Sequence, residues 1–208
     1  MTALELSKKY QTLLNENGIN TSIRLAHFFA QADHESGLKA KTENLNYSVS
    51  GLIETFGSKR ISHTQAYDYG RSSNHKANQE IIANIVYGGD WGRKSLGNTK
   101  LGDGWKFRGR GIFQITGRSN YQQLTDWAQS KGFNVNYVEN PDLLLNESDS
   151  IIGAVWYWNS RGINRFSDRD DALSVSKIIN LGSADSKKKP NHLKEREEKV
   201  KYYKTVFK

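Results

Sequence analysis

Residues 22–36 read SIRLAHFFAQADHES. Wound at 3.6 residues per turn, the run is apolar over most of its circumference, which predicts a central buried helix rather than a surface one. Asn20 or Thr21 can cap its start, and Gly37 stops it. Glu35 continues the stripe Leu25, Phe28, Ala32 on that wheel. A carboxyl on an apolar face at a helix C-terminus is disfavoured as an anion twice over, by desolvation and by the negative end of the helix dipole. An acid that keeps its proton near neutral pH is what general-acid catalysis requires. The competing reading is that Glu35 simply pairs with His34 or with an arginine at the helix end.

Outward from this segment the chain reads as mostly helical. Thr2 and Glu5 form a capping-box pattern, with Ala3, Leu6, Tyr10 and Leu13 as an apolar stripe and Gly18 as its end. Weaker helical patterns cover about 48–56 and 76–87. From Gly88 to Gly111, eight glycines interrupt any helical period, as in loops that form functional rims. Within that stretch WKFRGRGIFQIT, from Trp105, alternates enough to predict a short irregular β-hairpin. Helices resume at about 119–131, 147–161 and 168–181, ended by Gly132, Gly162 and Gly182. The last runs from about Asn191, with Leu193, Arg196, Val200, Tyr203 and Phe207 on one stripe. Arg196 stands where a leucine would be expected. It needs either a partner carboxylate or a stem long enough to reach solvent.

Composition narrows the class. The 208 residues are 36% hydrophobic, with five Trp, ten Tyr and eight Phe. That is too aromatic for a disordered chain and too polar for a membrane protein. The N-terminal MTALELSKKYQ lacks a basic stretch followed by an apolar run, so no signal peptide is expected and synthesis is assigned to the cytoplasm. With no cysteine, disulfides and thiolate chemistry are excluded. The net charge of +8 suggests a polyanionic partner: nucleic acid, an anionic membrane or a cell wall. Nucleic acid fits poorly, because the basic residues are interleaved with acids, as in KEREEKVK from Lys194.

Glu43 lies eight residues past Glu35, beyond a glycine that lets the chain reverse. Eight extended residues reach about 26–29 Å, so the spacing permits two facing carboxyls without forcing them. Inverting glycosidases set such a pair about 6.5–9.5 Å apart to admit a water. Other chemistries fail. His34-Glu35 starts a zinc-protease motif whose second histidine would fall on Leu38, and His27 with His34 on a packed face reads better as hydrogen-bonded core. Gly109-Arg110-Gly111 lacks the third glycine and the βαβ unit of a dinucleotide loop. In Gly92-Arg93-Lys94-Ser95 the glycine does not directly precede the lysine, as a phosphate loop needs.

Taken in order, AQADHESGL from Ala30, ENLNYS from Glu43, IANIVYGGDWG from Ile82 and GDGWKFRGRGIFQITGRSNY from Gly102 resemble glycoside hydrolase family 19. NPDLL from Asn140, AVWYWNSRGIN from Ala154 and INLG from Ile179 complete the series, and the small cysteine-free branch of phage endolysins and bacterial lysozyme-like members is the nearest in character. The resemblance implies a mainly α, lysozyme-like fold with two lobes around a substrate cleft, and a single catalytic domain over residues 1–208. It also implies roles. Glu35 would be the general acid, Glu43 the general base, and Thr116 the hydroxyl that holds the attacking water. Gln114, Asn120 and Asn180 would contact sugars or their N-acetyl groups, Tyr47 and His34 would line the groove, and Arg196 would tie Glu35 into a charge network. Hydrolysis would proceed by single displacement with inversion, without metal or cofactor. The chain departs from common family patterns at Leu38, where a second glycine often stands, in its short acid-to-base spacing, and at INLG in place of INGG.

Members of this family act on chitin or on peptidoglycan. The short chain, the basic surface and the missing leader fit peptidoglycan and an endolysin made in a host cytoplasm, released through a holin and acting at the wall as a monomer. The rivals are a chitinase and a catalytically silent wall-binding protein. The basic C-terminal helix also suits a weak contact with an anionic membrane, although docking on the core explains its apolar stripe more simply.

Overall fold

A threonine hydroxyl opens the first helix: Thr2 accepts from the Glu5 amide while the Glu5 carboxylate accepts from the Thr2 amide. The computed structural model describes residues 1–208 and holds thirteen α-helices with no named β-strand. In chain order these are α1 (Ala3–Lys9), α2 (Gln11–Glu16), α3 (Ser22–Ser36), α4 (Val49–Phe56), α5 (His63–Tyr69) and α6 (Gln79–Val86). There follow α7 (Gly89–Leu96), α8 (Asp103–Lys106), α9 (Arg118–Ser130), α10 (Glu147–Ser160), α11 (Asn164–Ser167), α12 (Ala172–Leu181) and α13 (Leu193–Val206). A 3-10 turn at Pro141–Leu145 precedes α10.

Helix α3 keeps the bounds its sequence predicts, with Thr21 accepting from the Arg24 amide and Gly37 in the left-handed conformation at φ 64°. Other stretches differ. The predicted N-terminal helix breaks at Tyr10 into α1 and α2, and Leu14 rather than Leu13 turns inward. Helix α5, absent from the sequence reading, is polar outside Ala66 and owes its start to a capping box between Ser62 and Gln65. The glycine-rich stretch from 88 to 111 is not wholly loop: α7 and α8 lie inside it, because Gly88 and Gly97 bound α7 rather than interrupt it. The predicted hairpin shrinks to isolated antiparallel bridges, Thr42 with Arg110 and Arg110 with Ile115. The residues between 110 and 115 turn too tightly for a ladder, with Gly111 and Gln114 both at positive φ.

The chain forms two compact units. The first comprises Met1–Lys41, Gly111–Phe113 and Leu144–Lys208. Helix α3 is its buried centre: Phe28 meets Phe29, Phe113 and Trp158 edge-on at 5.2–5.8 Å between centroids, and Phe29 stacks on Phe207 of the C-terminal segment at 5.3 Å. Helix α13 packs along α3 through Arg196, Val200 and Tyr203, with Phe207 just past its end.

The second unit comprises Thr42–Arg110 and Gln114–Leu143. Its core gathers Leu45, Leu52, Ile61, Ala66, Ile82 and Val86 from α4 to α6 and their connections. A buried arginine organises its loops. Arg110 binds Asp142 at 2.7 Å, the Lys106 carbonyl at 2.8 Å and the Tyr121 hydroxyl at 3.1 Å. Nearby, the largely buried Asp103 carboxylate is paired with Arg118 at 2.5 Å.

Candidate active site

The first unit carries Glu35 in the last turn of α3. Its Oε1 accepts from Arg196 Nη2 at 2.6 Å, and Arg196 itself is 2% exposed. A second guanidinium nitrogen donates to the buried Gln31 amide oxygen at 2.6 Å, and Nε donates to the Asn191 carbonyl at 3.0 Å. Gln31 and Glu35 are one helical turn apart, so both present their oxygens to one fork. Arg196 is thus partnered, and the snorkelling alternative falls away. The apolar setting expected for Glu35 is replaced by this guanidinium. Oε1 is committed to Arg196, and Oε2 has no protein hydrogen bond.

His34 neighbours Glu35 in sequence and lies with its ring centroid 5.9 Å from that of His192. Burial, then the Arg196 charge, lowers its pKa, so it is neutral in this setting. Asn180, near the end of α12, accepts the Asn191 amide at 2.8 Å. It therefore fastens the segment that leads into α13, which in turn positions Arg196.

The second unit carries Glu43. Its amide donates to the Gly109 carbonyl at 2.8 Å, and the Gly109 amide returns a bond to Glu43 Oε2 at 3.1 Å. The Tyr87 hydroxyl, at the end of α6, donates to Oε1. Burial first, and then the Glu43 charge, pushes the Tyr87 hydroxyl far above the usual phenol range, so it remains a donor across the working pH range. Phe56 packs edge-on to both Tyr87 and Tyr47, and burial together with Glu43 raises the Tyr47 hydroxyl as well.

Gln114 and Thr116 approach the same glycine. A Cβ on Gly109 would lie 2.8 Å from Gln114 Oε1 and 3.3 Å from Thr116 Oγ1. Residue 109 must therefore lack a side chain if all three are to stay in place. The Thr116 hydroxyl donates to the Gln114 carbonyl at 3.0 Å, which leaves its oxygen as an acceptor. Asn120 donates to the Thr116 carbonyl at 2.7 Å and holds the loop from α9.

No protein-family model matches the chain. It is 38% identical over 147 residues to a protein of Haemophilus influenzae described as a glycosyl hydrolase family 19 domain-containing protein. The matched span covers 70% of this chain and 66% of that relative, so the chain spans just under two thirds of the relative's length. The chain belongs to glycoside hydrolase family 19.

Within this family-19 chain the structure brings the sequence-predicted residues into two groups. His34, Glu35, Asn180 and Arg196 belong to the first unit, where Glu35 and Arg196 touch and Asn180 acts through Asn191. Glu43, Tyr47, Gln114, Thr116 and Asn120 belong to the second, with Glu43, Gln114 and Thr116 gathered around Gly109. Sequence reasoning missed three residues: Tyr87, Gly109 and Gln31. Tyr87 stands in IANIVYGGDWG and Gly109 in the Gly102 block, yet nothing in the spacing says that they meet a carboxylate 44 and 66 residues upstream. Gln31 had a signal, being four residues before Glu35 on a face the sequence marks as buried.

Proposed function

We propose that this chain hydrolyses β-1,4 glycosidic bonds of bacterial peptidoglycan by a single inverting displacement, with Glu35 as general acid and Glu43 as general base. The observation that carries the reading is that, in a family-19 chain, each predicted carboxylate has its own dedicated donors. Arg196 holds Glu35, and Tyr87 with the Gly109 amide holds Glu43. Such fixed settings favour catalysis, because little reorganisation is left for the moment of reaction.

In the proposed reaction, a water donates one proton toward Glu43 and the other toward the Thr116 oxygen, so that its lone pair faces the anomeric carbon. The water oxygen attacks that carbon as its proton passes to Glu43. The bond to the leaving sugar breaks, and the glycosidic oxygen takes a proton from Glu35 Oε2. The product has inverted configuration at the new reducing end. Arg196 holds the other Glu35 oxygen throughout and fixes the side chain's orientation. Asn180, Asn120, Gln114, His34 and Tyr47 serve sugar binding in this scheme. No metal or cofactor takes part.

A peptidoglycan substrate is supported by the net charge of +8, which suits an anionic wall. The biological role that follows is an endolysin, acting as a monomer over residues 1–208 and released to the wall to lyse its host. Incubating purified peptidoglycan and colloidal chitin with wild type and with Glu35→Gln tests this. Reducing-end disaccharides released from peptidoglycan by wild type alone are expected. Soluble chitooligosaccharides alone would reassign the chain to chitin, and binding without cleavage would leave a wall-binding module.

A further inference from the structure

Two arginines of the first unit face a cavity that the site above does not use. Arg161 follows α10 and Arg165 lies in α11; both are exposed, and neither forms an ion pair. Each guanidinium rests on an aromatic ring, Arg161 on Tyr157 at 5.2 Å and Arg165 on Phe166 at 4.7 Å. Arg161 also reaches the Tyr157 hydroxyl, which holds part of its N–H edge, while the rest of that guanidinium and the ring-stacked Arg165 remain exposed to a ligand. The cavity, of about 160 Å³, lies against Ile178, Ser183 and Asp185. It is partly open to solvent, so a carboxylate can enter it while the group that carries it stays outside.

The cavity adjoins the acid half of the site. Tyr157, beside Arg161, donates its hydroxyl to the Ile178 carbonyl at 3.2 Å; burial raises its pKa against the opposing pull of Arg161, and Glu35 adds to the rise. Asn180 sits on α12 between Ile178 and Gly182, both of which line the cavity.

We propose that this cavity binds a carboxylate carried on a side branch of the glycan strand, and so distinguishes peptidoglycan from neutral chitin. The inference rests on the glycan-hydrolase reading above and names the chemical feature by which that site selects its polymer. Two N–H forks suit bidentate recognition of a carboxylate. Two features oppose an anion: Asp185 lines the same cavity, and the carbonyl end of α12 reaches it at Gly182. Two cations outnumber the one carboxylate, and Lys187, Lys188 and Lys189 follow on the same exposed segment. A purely structural role is also defined, since both arginines sit at helix C-termini, where a positive charge offsets the dipole. That role predicts a loss of stability with no discrimination between substrates.

Two probes of equal glycan length separate these roles: N-acetylchitotetraose, which is neutral, and a tetrasaccharide muropeptide bearing free carboxylates. In amide NMR spectra of the wild type, the muropeptide should shift the Gly182–Asp185 signals and the chitotetraose should not. In Arg161→Gln/Arg165→Gln those shifts should vanish and the muropeptide KM should rise about tenfold, as for one lost charge-assisted contact. Binding of chitotetraose should be unchanged, and Asp185→Asn should tighten the muropeptide alone. Muropeptide shifts that survive in the double variant, or equal losses on both probes, would overturn the proposal. Because binding is read without turnover, a wild type that cleaves neither probe would refute the hydrolase reading while the shifts still decide the carboxylate site.

Discussion

Glu43 has both carboxylate oxygens engaged, one by a phenol and one by a backbone amide, before any substrate is bound. Removing the phenol leaves the carboxylate in place but free to turn. Tyr87→Phe should therefore lower kcat about tenfold, in line with a lost hydrogen bond to a charged group, while KM changes little. Steady-state kinetics on solubilised peptidoglycan would show the split, and a KM rise with kcat intact would contradict it. Gly109→Ala should act differently: its methyl would meet Gln114 Oε1 at 2.8 Å and Thr116 Oγ1 at 3.3 Å, so these side chains must give way while the backbone amide on Glu43 stays, and KM should rise more than kcat falls. At this scale the sequence exposes Glu35, Glu43 and Thr116 through motif resemblance and Arg196 through its misfit on an apolar stripe. It hides Tyr87, because a tyrosine after an apolar helix reads equally well as core.

Among the elements, α3 and α13 carry the first unit, and each was legible for a different reason. Helix α3 announces itself by cap, period and glycine stop. Helix α13 shows only its stripe, and that stripe proves to face α3 rather than solvent or lipid. Of its lysines, Lys199 and Lys204 are tied to Asp33 and Asp170. Phe207→Ala should cost about 3 kcal/mol, because it removes a buried ring stacked on Phe29. Deleting the residues after Pro190 should abolish folding of the first unit, since Arg196 would vanish from beside Gln31 and Glu35. Circular dichroism melts would check both, and a deletion that keeps the wild-type melt would contradict the core role of α13. The helices α5, α7 and α8 were not legible, because they are short and polar or glycine-bounded and so lack the stripe on which periodicity depends.

For the molecule as a whole, the titrating groups predict two stages of acid destabilisation. His27 is fully buried on α3, donates through Nε2 to Asp170 at 2.8 Å and leaves Nδ1 without a partner. Burial lowers its pKa despite the carboxylate, and His34 is lowered likewise. The unfolded chain takes up these protons near the ordinary histidine value of 6.5 while the folded one resists them. Their stabilisation is therefore complete above that pH and is lost as the pH falls through the lowered folded values. Asp168, lowered by Arg24, acts in the same sense below the ordinary 3.8, as does Asp103, where Arg118 and the Lys100 amide outweigh burial. The Tm should decline first below about pH 6.5 and again below about 3.8, and His27→Gln should weaken the first decline. A Tm that is flat from pH 7 to 4 would contradict this. The division into two units was legible only through the family resemblance, which implies two lobes; local periodicity says nothing of it, since contacts between distant segments leave no periodic mark.

The most direct test of the central claim is the anomeric configuration of freshly released reducing ends, followed by proton NMR during digestion of purified peptidoglycan. Single displacement predicts that α-anomers appear first from the β-linked strand, and that neither Glu35→Gln nor Glu43→Gln releases them. Initial release of β-anomers would contradict single displacement, and undiminished cleavage by either variant would remove that carboxylate from the mechanism.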